Sequence, residues 1–347
     1  GGGGGGGASG RGGGGSGCVA VELPATYSRD AWRPVLREVF FSPVADDAFV
    51  LFEACEALAP GSARTALARA GLGLLGPLRL LSGEGEASPM LDRGPHDPAE
   101  FQPLVSVGPP SDGRALGYWR DEPDGPPLFV AERKPLPSEQ KPGVSAFGPG
   151  VSLSPVASQL LGAVHKRLAD EAKAGTLHSA AARAAAEAIA RAAAAAGLGV
   201  EAEGEGTKAA KARKRAGLSG GLPGHKWVET SSKVGVVFAY DRQLELGYRE
   251  LHLTGKELRK LLGRIVHAPP AERPDVQAEL DDLINWSNIA NDESDFGASL
   301  RLGADLFNHD VCFAPQAAQQ LSTAYTLLGR APFAKLAKLH AAKRRGE

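Results

Sequence analysis

Apolar residues in the second half of the chain recur at helical spacing. Between residues 276 and 290 they share one face of a helix with a single serine: Val276, Leu280, Leu283, Ile284, Ser287 and Ala290. This period predicts an amphipathic helix. Similar patterns predict further helices over residues 156–173, 179–196, 256–267, 316–328 and 332–342. Thr254 and Glu257 form a capping-box signature in front of the helix over 256–267.

The first half of the chain combines two helical patterns with strand-like runs. Apolar spacing between residues 32 and 39 predicts a helix that begins near Ser28 and holds Pro34 in its first turn. Ser42 and Pro43 predict the start of a second helix. Its apolar side would carry Ala48, Phe52, Cys55 and Ala59. Apolar runs between proline- and glycine-rich turns predict four strands, over 74–81, 101–107, 116–120 and 128–131.

These elements predict an α+β fold with two lobes. Residues 29–150 would form an N-terminal lobe of helices with a small antiparallel sheet. Residues 151–347 would form a C-terminal lobe that is mainly helical, with a short β element. Residues 1–28 are predicted to be a disordered glycine-rich tail. Residues 201–222 are predicted to be an exposed charged loop, which is either a nuclear-import or nucleic-acid patch or a solvated linker.

Composition narrows the function classes only slightly. The 347 residues carry 39 basic and 40 acidic side chains, so no overall field draws the chain to nucleic acid or to a membrane. Three widely spaced cysteines favour a reducing compartment. No apolar run approaches the roughly 18 residues of a membrane-spanning helix, and the N-terminus lacks the pattern of a secretory signal. We expect a monomer without membrane or sequence-specific nucleic-acid partners.

Gly71, Gly73 and Gly76 match the dinucleotide-binding fingerprint as a string. That fingerprint requires a strand before it and a helix after it, because the pyrophosphate lies on the helix N-terminus. Here residues 63–70 have a helical pattern and residues 74–81 a strand-like one, which is the reverse order. We interpret the glycines as a helix stop and a turn. A self-sufficient nucleotide enzyme is therefore disfavoured, and we expect no cofactor or metal bound by this chain alone.

An acidic turn follows the helix over residues 276–290. Asp292, Glu293 and Asp295 place three carboxylates within four residues, where acids oppose the helix macrodipole by roughly 0.3–1 kcal/mol each. One interpretation is that a carboxylate is kept there for chemistry or for a partner. The other is a solvated turn in which an acid caps the next element.

Tyr248 and Arg249 lie between a β-like run over 234–240 and the capped helix. An aromatic residue beside an arginine is typical of an interface hot spot. Alternatively, the tyrosine packs into the lobe and the arginine forms an ion pair with a nearby acid. The residues themselves leave both interpretations open.

Together these segments resemble the histone PARylation factor family, the accessory proteins of the DNA-damage-responsive poly(ADP-ribose) polymerases. The matching stretches are residues 247–251, 290–297 and 302–307, with parts of 320–334. Weaker matches lie in the first lobe, at 52–56, 98–101 and 117–121. The resemblance covers residues 40–340 and is strongest beyond 247.

The resemblance implies two lobes, no NAD site in the chain itself, and docking on the catalytic domain of a polymerase whose active site the factor completes. By position, Glu293 corresponds to the catalytic carboxylate and Asp292 to a contact with the polymerase. Tyr248 and Arg249 correspond to the docking surface, and we group Asp295 with these partner-binding residues. The implied substrates are serines of histones and other chromatin proteins. The implied location is the nucleus, at damaged chromatin.

Chemistry favours a role for the carboxylate. A serine hydroxyl is too weakly acidic to attack the ribose C1′ of NAD unaided, so Glu293 would act as a general base while the polymerase holds the NAD. The alternative is a non-catalytic module whose three carboxylates bind basic peptides such as histone tails. Departures from the family pattern are Ser294, which stands for a cysteine, and residues 308–316, where His309 is out of register.

Overall fold

Helices and antiparallel strands occupy separate blocks of the chain, which confirms the predicted α+β class. The computed structural model describes residues 19–136, 150–200, 208, 210, 211 and 224–346. Within these ranges the helices are α1 Arg29–Phe40, α2 Asp46–Leu58, α3 Ala63–Ala66, α4 Gly76–Leu81, α5 Leu160–Lys173, α6 Ser179–Ala195, α7 Gly255–His267, α8 Arg273–Asp292, α9 Phe296–His309, α10 Ala314–Leu327 and α11 Ala331–Arg345. The strands are β1 Leu72–Leu74, β2 Phe101–Val107, β3 Ala115–Trp119, β4 Phe129–Pro135, β5 Val151–Ala157, β6 His225–Val228 and β7 Val236–Ala239. None of the described helices is long and apolar enough to span a membrane.

Strands β1 to β5 form one antiparallel sheet in sequence order, and both of its faces are covered. One face packs on helices of the first half around Leu104, Leu116 and Val130. The opposite face carries a separate cluster in which the rings of Trp119 and Phe129 stack, with centroids 6.3 Å apart. Burial on both faces explains why nearly every residue of β2 and β3 is buried, rather than every second one.

Helix α9 lies at the centre of the second lobe. It packs between α8 and α10, and even its charged residues Arg301 and Asp305 are buried. The ribbon of β6 and β7 packs against it, with the Phe238 ring on the backbone of Gly297. A helix buried on nearly every side has no one-sided apolar stripe, which is why the sequence did not predict a helix over residues 296–309.

Other helices begin and end where local chemistry requires. The Ser28 hydroxyl accepts a hydrogen bond from the N–H of Ala31 and caps α1, so the helix begins next to the residue where order was predicted to start. Thr254 and Glu257 form the predicted capping box of α7. Gly197 follows α6 in the left-handed region, with φ of 68°.

Buried polar contacts join the five-stranded sheet and the segment before β2 to the helices at the end of the chain. The Tyr325 hydroxyl donates to Glu100 at 2.7 Å. The side-chain amide of Asn308 accepts from the N–H of Val151 at 2.8 Å and donates to its carbonyl oxygen at 3.1 Å. These bonds join β5 and the segment before β2 to the helices of the second lobe, and they satisfy groups that burial would otherwise leave unpaired.

Two histidines and an arginine extend this contact. His96 and Arg344 approach the carbonyl oxygen of Phe307, at 3.1 and 2.9 Å. His340 packs edge-on against the Phe307 ring, with centroids 5.0 Å apart. Burial and the nearby arginines hold the pKa of His340 well below its ordinary value. We define the lobe seam as residues 93–100 together with Arg133, Tyr325, His340 and Arg344.

The apolar core does not divide at the predicted boundary between residues 150 and 151. Helices α5 and α6 lie beyond that boundary, but Leu160, Val164 and Ile189 belong to the same core as α2. The core of the first lobe therefore continues through α6. The division of the chain into domains stays a prediction.

Two segments predicted to lack structure are partly ordered. In the predicted tail, residues 1–18 lie outside the described residues, but the N–H of Val19 donates to the carbonyl of Ala87 at 2.8 Å. In the predicted loop over 201–222, the described positions 208, 210 and 211 are helical, and Ala210 packs on the sheet cluster. The rest of that loop, and its proposed import signal, lie outside the described residues.

Helix α2 begins four residues after the predicted cap at Ser42. The end of α1 explains the delay, because Phe41 has a left-handed backbone with φ of 58° and the chain must reverse before the next helix. Asp46 and Asp47 in the first turn favour the observed start, since acids stabilise a helix N-terminus. Pro34 is the sixth residue of α1, so its predicted place in the first turn was wrong.

One strand prediction was also wrong, and one strand was missed. Residues 74–81 form α4 after a single strand residue, and Pro77 lies in the first turn of that helix, where proline is favoured. Strand β5 was not predicted, because Pro155 interrupts a short alternating run in which only Val151 and Leu153 are apolar before it. It pairs with β4, which extends to Pro135, beyond its predicted end.

Candidate functional site

The acidic turn is a tight reversal between α8 and α9. The N–H groups of Glu293, Ser294 and Asp295 donate hydrogen bonds to carbonyls in the last turn of α8, at 3.2, 3.0 and 2.7 Å. The acceptors are the carbonyl oxygens of Ile289, Asn291 and Ala290, in that order. Ser294 has a left-handed backbone, with φ of 68°. The reversal turns the carboxylates of Glu293 and Asp295 to different environments. Glu293 is exposed and Asp295 is buried.

Asp295 fixes the neighbouring segment inside the protein. Its Oδ1 accepts a hydrogen bond from the N–H of Gly247 at 2.8 Å, and the N–H of Gly297 donates to the Gly247 carbonyl at 3.0 Å. Its Oδ2 lies 3.2 Å from Nε of Arg249. Asp295 is only 4% exposed. Its contacts therefore favour a role in positioning Arg249 over the predicted contact with a partner.

Arg249 is the centre of the site. Its Nη2 forms an ion pair with Oε2 of Glu293, while its Nε faces Asp295. The guanidinium lies over the ring of Trp286, 5.3 Å from the centroid, and this ring holds it by a cation–π contact. Trp286 is in turn fixed by a hydrogen bond from its Nε1 to the carbonyl of Glu250, at 3.2 Å. About a third of the Arg249 side chain remains exposed.

Glu293 is both ion-paired and accessible. Its side chain is 51% exposed, so the pair with Arg249 forms at the surface and water screens it. Asp292 is exposed beside it and forms no hydrogen bond or ion pair with any residue in the described ranges. The turn thus presents two adjacent carboxylates, one held by an arginine and one facing solvent.

Tyr248 belongs to the core rather than to the surface. It is 5% exposed, and its ring stacks on Phe238 with centroids 5.3 Å apart. Its hydroxyl donates to Glu250 at 3.0 Å and accepts from Arg301 at 2.9 Å. Burial raises the pKa of the Tyr248 phenol. The two neighbours therefore correspond to the second interpretation of this segment, a packed tyrosine and an ion-paired arginine.

An exposed apolar group beside the turn was missed from the sequence. Ile289 is 50% exposed, and Leu246 is 40% exposed one residue before Gly247. Ile289 lies between Trp286 and Glu293 at intervals of three and four residues, so the three share one face of α8. Its position off the buried stripe of the helix was the signal available in the sequence. Ile289 therefore places an exposed apolar side chain close in sequence to the ion-paired Glu293.

The region that departs from the family pattern is structural here. Asn308 is buried and bonds to β5, as described above. His309 is partly buried, and burial lowers its pKa. Neither side chain belongs to the acidic turn.

The glycines of the fingerprint are not arranged for a dinucleotide. Gly71 ends a 3₁₀ turn in the left-handed region, Gly73 lies inside β1, and Gly76 begins α4. The sheet around them is antiparallel throughout, whereas the fingerprint belongs to a parallel βαβ unit. Among the described residues, no group of three or more histidine, cysteine, aspartate or glutamate side chains is placed to hold a metal ion.

Fold and site together define a two-lobed α+β protein that presents a carboxylate and an arginine at its surface. A family model described as Histone PARylation factor 1 matches residues 32–344. The chain is 30% identical to Histone PARylation factor 1 of Bos taurus over 313 residues, which covers 87% of this chain and 84% of that protein. Identity is 29% to the Mus musculus protein of that name, covering 91% of this chain and 87% of that protein, and 30% to the Danio rerio one, covering 86% and 82%. The chain belongs to the histone PARylation factor 1 family.

Proposed function

We propose that this chain docks on the catalytic domain of a poly(ADP-ribose) polymerase and supplies Glu293 as the general base for serine ADP-ribosylation. The position of Glu293 carries the proposal. Its side chain is 51% exposed, on a turn fixed by backbone hydrogen bonds. A base that serves another protein's active site must reach the surface and be held on rigid backbone. Glu293 meets both requirements.

The chemistry needs one proton acceptor from this chain. The serine Oγ forms a bond to the ribose C1′ while the bond to nicotinamide breaks, and the carboxylate takes the serine proton. Such general-base assistance is typically worth roughly 10²–10⁴-fold. The polymerase holds the NAD, and this chain binds no cofactor by itself. The anion also favours a cationic sugar in the transition state, as in glycoside chemistry.

One contact must change on docking. In the free protein the guanidinium of Arg249 contacts the carboxylates of both Glu293 and Asp295, so the Glu293 carboxylate is occupied by an ion pair. Docking would draw Arg249 onto the polymerase and release Glu293 toward the substrate serine. Asp292 and the exposed Ile289 would contribute to the same interface. Histones at damaged chromatin in the nucleus would supply the serine.

A reconstitution tests the base. The full chain is mixed with a damage-activated polymerase, NAD and a histone peptide, and the modified residue is mapped. Glu293→Gln should keep docking but reduce serine transfer by at least about 10²-fold. Asp282→Asn, which removes another exposed carboxylate from α8, is the matched control and should retain transfer. Serine transfer at the normal rate by the Gln variant would disprove the base assignment.

The docking role of Arg249 is tested separately. Arg249→Ala should weaken binding to the catalytic domain in a titration, whereas Glu293→Gln should not. Equal binding by both variants would remove Arg249 from the interface.

The second candidate function is a non-catalytic module for basic peptides, and the adjacent exposed carboxylates of Asp292 and Glu293 favour it. It predicts histone-peptide binding that weakens steeply with salt and no serine product with any polymerase. A salt-sensitive peptide complex without transfer in the reconstitution would select this candidate.

A further inference from the structure

The C-terminal part of the chain carries charge of one sign. Between Asp310 and Glu347 the sequence has no acidic residue, although the whole chain has 40 acidic and 39 basic residues. The basic residues of this stretch are Arg330, Lys335, Lys338, Lys343, Arg344 and Arg345. All except the first lie on α11. By contrast, α8 carries one arginine and five acids.

Burial separates structural cations from exposed ones. Arg330 is 2% exposed and pairs with Glu122, and Arg344 is 3% exposed in the lobe seam. These two hold the fold.

Four other cations of α11 are exposed, and one of them, Lys343, donates to the carbonyl of Met90 at 3.1 Å. The remaining three, Lys335, Lys338 and Arg345, are spaced three and seven residues apart, which places them on one face of α11 over about 15 Å at 1.5 Å per residue. The Lys335 ammonium lies 4.6 Å from the centroid of the Phe41 ring.

The helix macrodipole does not account for this face. Cations in the last turn are favoured there, which covers Arg345. Lys335 and Lys338 lie about three and two turns from that end, and they repel each other at a spacing of three residues. Solvent-exposed helices normally mix both charge signs, and α11 has no acid to offset these lysines.

We propose that the exposed face of α11, formed by Lys335, Lys338 and Arg345, docks on the phosphate backbone of duplex nucleic acid. A duplex presents one charge per about 1.7 Å of axis, so a basic face about 15 Å long meets several phosphates. The complementarity is of charge and length, and it does not depend on the polymerase.

The composition of α11 defines the kind of binding. The helix has no Asn or Gln to read adenine and no Ser or Thr, so the lysines and the arginine are the polar groups of its exposed face. Its one ring of the size that stacks on bases, Phe333, is 1% exposed. Stacking on single strands needs exposed aromatics. The face therefore binds backbone without sequence preference, and it prefers duplex to single strand.

None of the acidic-turn residues lies on α11, and α9 and α10 separate α8 from α11 in the packing order. A duplex on α11 therefore contacts a different helix from the one that leads into Glu293. The two surfaces would let one molecule bind a polymerase and nucleic acid together.

Fluorescence anisotropy of the full chain with a labelled duplex of about 20 base pairs tests the proposal across a salt series. The triple variant Lys335→Ala, Lys338→Ala, Arg345→Ala should lower the slope of log affinity against log salt by about 2.7. The matched control replaces Lys256, Arg259 and Lys260, three exposed basic residues of α7, with alanine. This control removes the same net charge from a different helix, so it distinguishes loss of the α11 face from loss of overall charge. Its slope of log affinity against log salt should stay near that of the native chain.

If the triple variant does not fold, the single variant Lys338→Glu replaces it in the experiment. Lys338→Glu should weaken duplex binding at low salt. The proposal is overturned if the native chain does not bind the duplex at low salt, or if the α7 control loses as much as the triple variant. Tighter binding of a single strand or of an ADP-ribose polymer than of the duplex would also overturn it. Duplex sequences of different composition should bind alike.

Discussion

The acidic turn and the lobe seam both collect ionisable side chains, but in opposite surroundings. In the turn, Arg249 and Glu293 meet at the surface, with 34% and 51% of their side chains exposed. In the seam, Asp97 and Arg133 form an ion pair with 0% and 8% exposed. Water weakens the first pair and leaves it free to exchange partners. The second has no solvent to replace a lost partner.

The comparison teaches where this protein can do chemistry. A buried ion pair fixes structure, because separating it would strand a charge at low dielectric. An exposed pair can open on contact with another molecule at small cost. The proposed base lies in the surroundings that permit change, and its support, Asp295, lies in those that do not.

The largest contrast should appear on removing one member of each pair. Asp97→Ala should lower the free energy of unfolding by about 3–5 kcal/mol, because it leaves Arg133 buried without its carboxylate. Glu293→Ala should cost less than about 1 kcal/mol, because its pair is exposed. Urea denaturation of both variants measures the difference. Equal losses would mean that the two sites do not differ as described.

Packing beneath the turn gives the next effect. At Gly297 an added Cβ would lie 2.4 Å from the Phe238 ring, so Gly297→Ala should destabilise by about 1–3 kcal/mol. Gly263 on α7 is the control, because nothing lies within 4 Å of its Cβ position and its alanine variant should stabilise the helix by up to about 1 kcal/mol. Thermal unfolding should shift in opposite directions for the two variants. Shifts of the same sign would contradict the packing described for Phe238.

The seam should make stability depend on pH. His340 has a depressed pKa because it is buried beside Arg93 and Arg344. The unfolded chain then binds the proton more readily, so stability is retained above the ordinary histidine pKa of 6.5 and lost as the pH falls below it. The loss should approach about 1.4 kcal/mol per pH unit at most.

Denaturation at several pH values between neutral and mildly acidic checks this sign. His340→Leu should flatten the acid limb, whereas the exposed His267→Asn should leave it unchanged. If the acidic part of the stability–pH curve keeps its slope in the Leu variant, a group other than His340 causes the loss of stability.

The smallest predicted effect on stability distinguishes the buried Tyr248 from its partly exposed neighbour Arg249. Tyr248→Phe removes hydrogen bonds to Arg301 and Glu250 and should cost about 0.5–1.5 kcal/mol of stability. Because Tyr248 is buried, this variant should dock on the polymerase as well as the native chain. Loss of docking at unchanged stability would place the Tyr248 hydroxyl in the interface after all.

The sequence predicted the parts of the fold that one-sided patterns determine. The stripe of α8, the capping box of α7 and the helices α10 and α11 all have a face toward solvent, so their periods are visible. Helix α9 was missed because the fold surrounds it. Strand β5 was missed because Pro155 stands in its middle.

The position of the candidate site could be predicted from the sequence, but the different roles of its three acids could not. Asp292, Glu293 and Asp295 are three acids in one turn, and local chemistry treats them alike. Their difference depends on Gly247 and Arg249, which lie more than 40 residues earlier and approach only in the folded chain. The burial of Tyr248 beside an exposed arginine likewise depends on Phe238 and Arg301.

Asn308 has a mechanical consequence for the whole molecule. Its side-chain amide forms hydrogen bonds with both the N–H and the carbonyl oxygen of Val151. A Cβ on Gly150 would lie 1.8 Å from the backbone carbonyl oxygen of Asn308. The backbone before β5 and the end of α9 are in direct contact there, without room for a side chain at position 150. Because α9 follows the acidic turn directly, this contact helps to fix the orientation of that turn relative to the sheet.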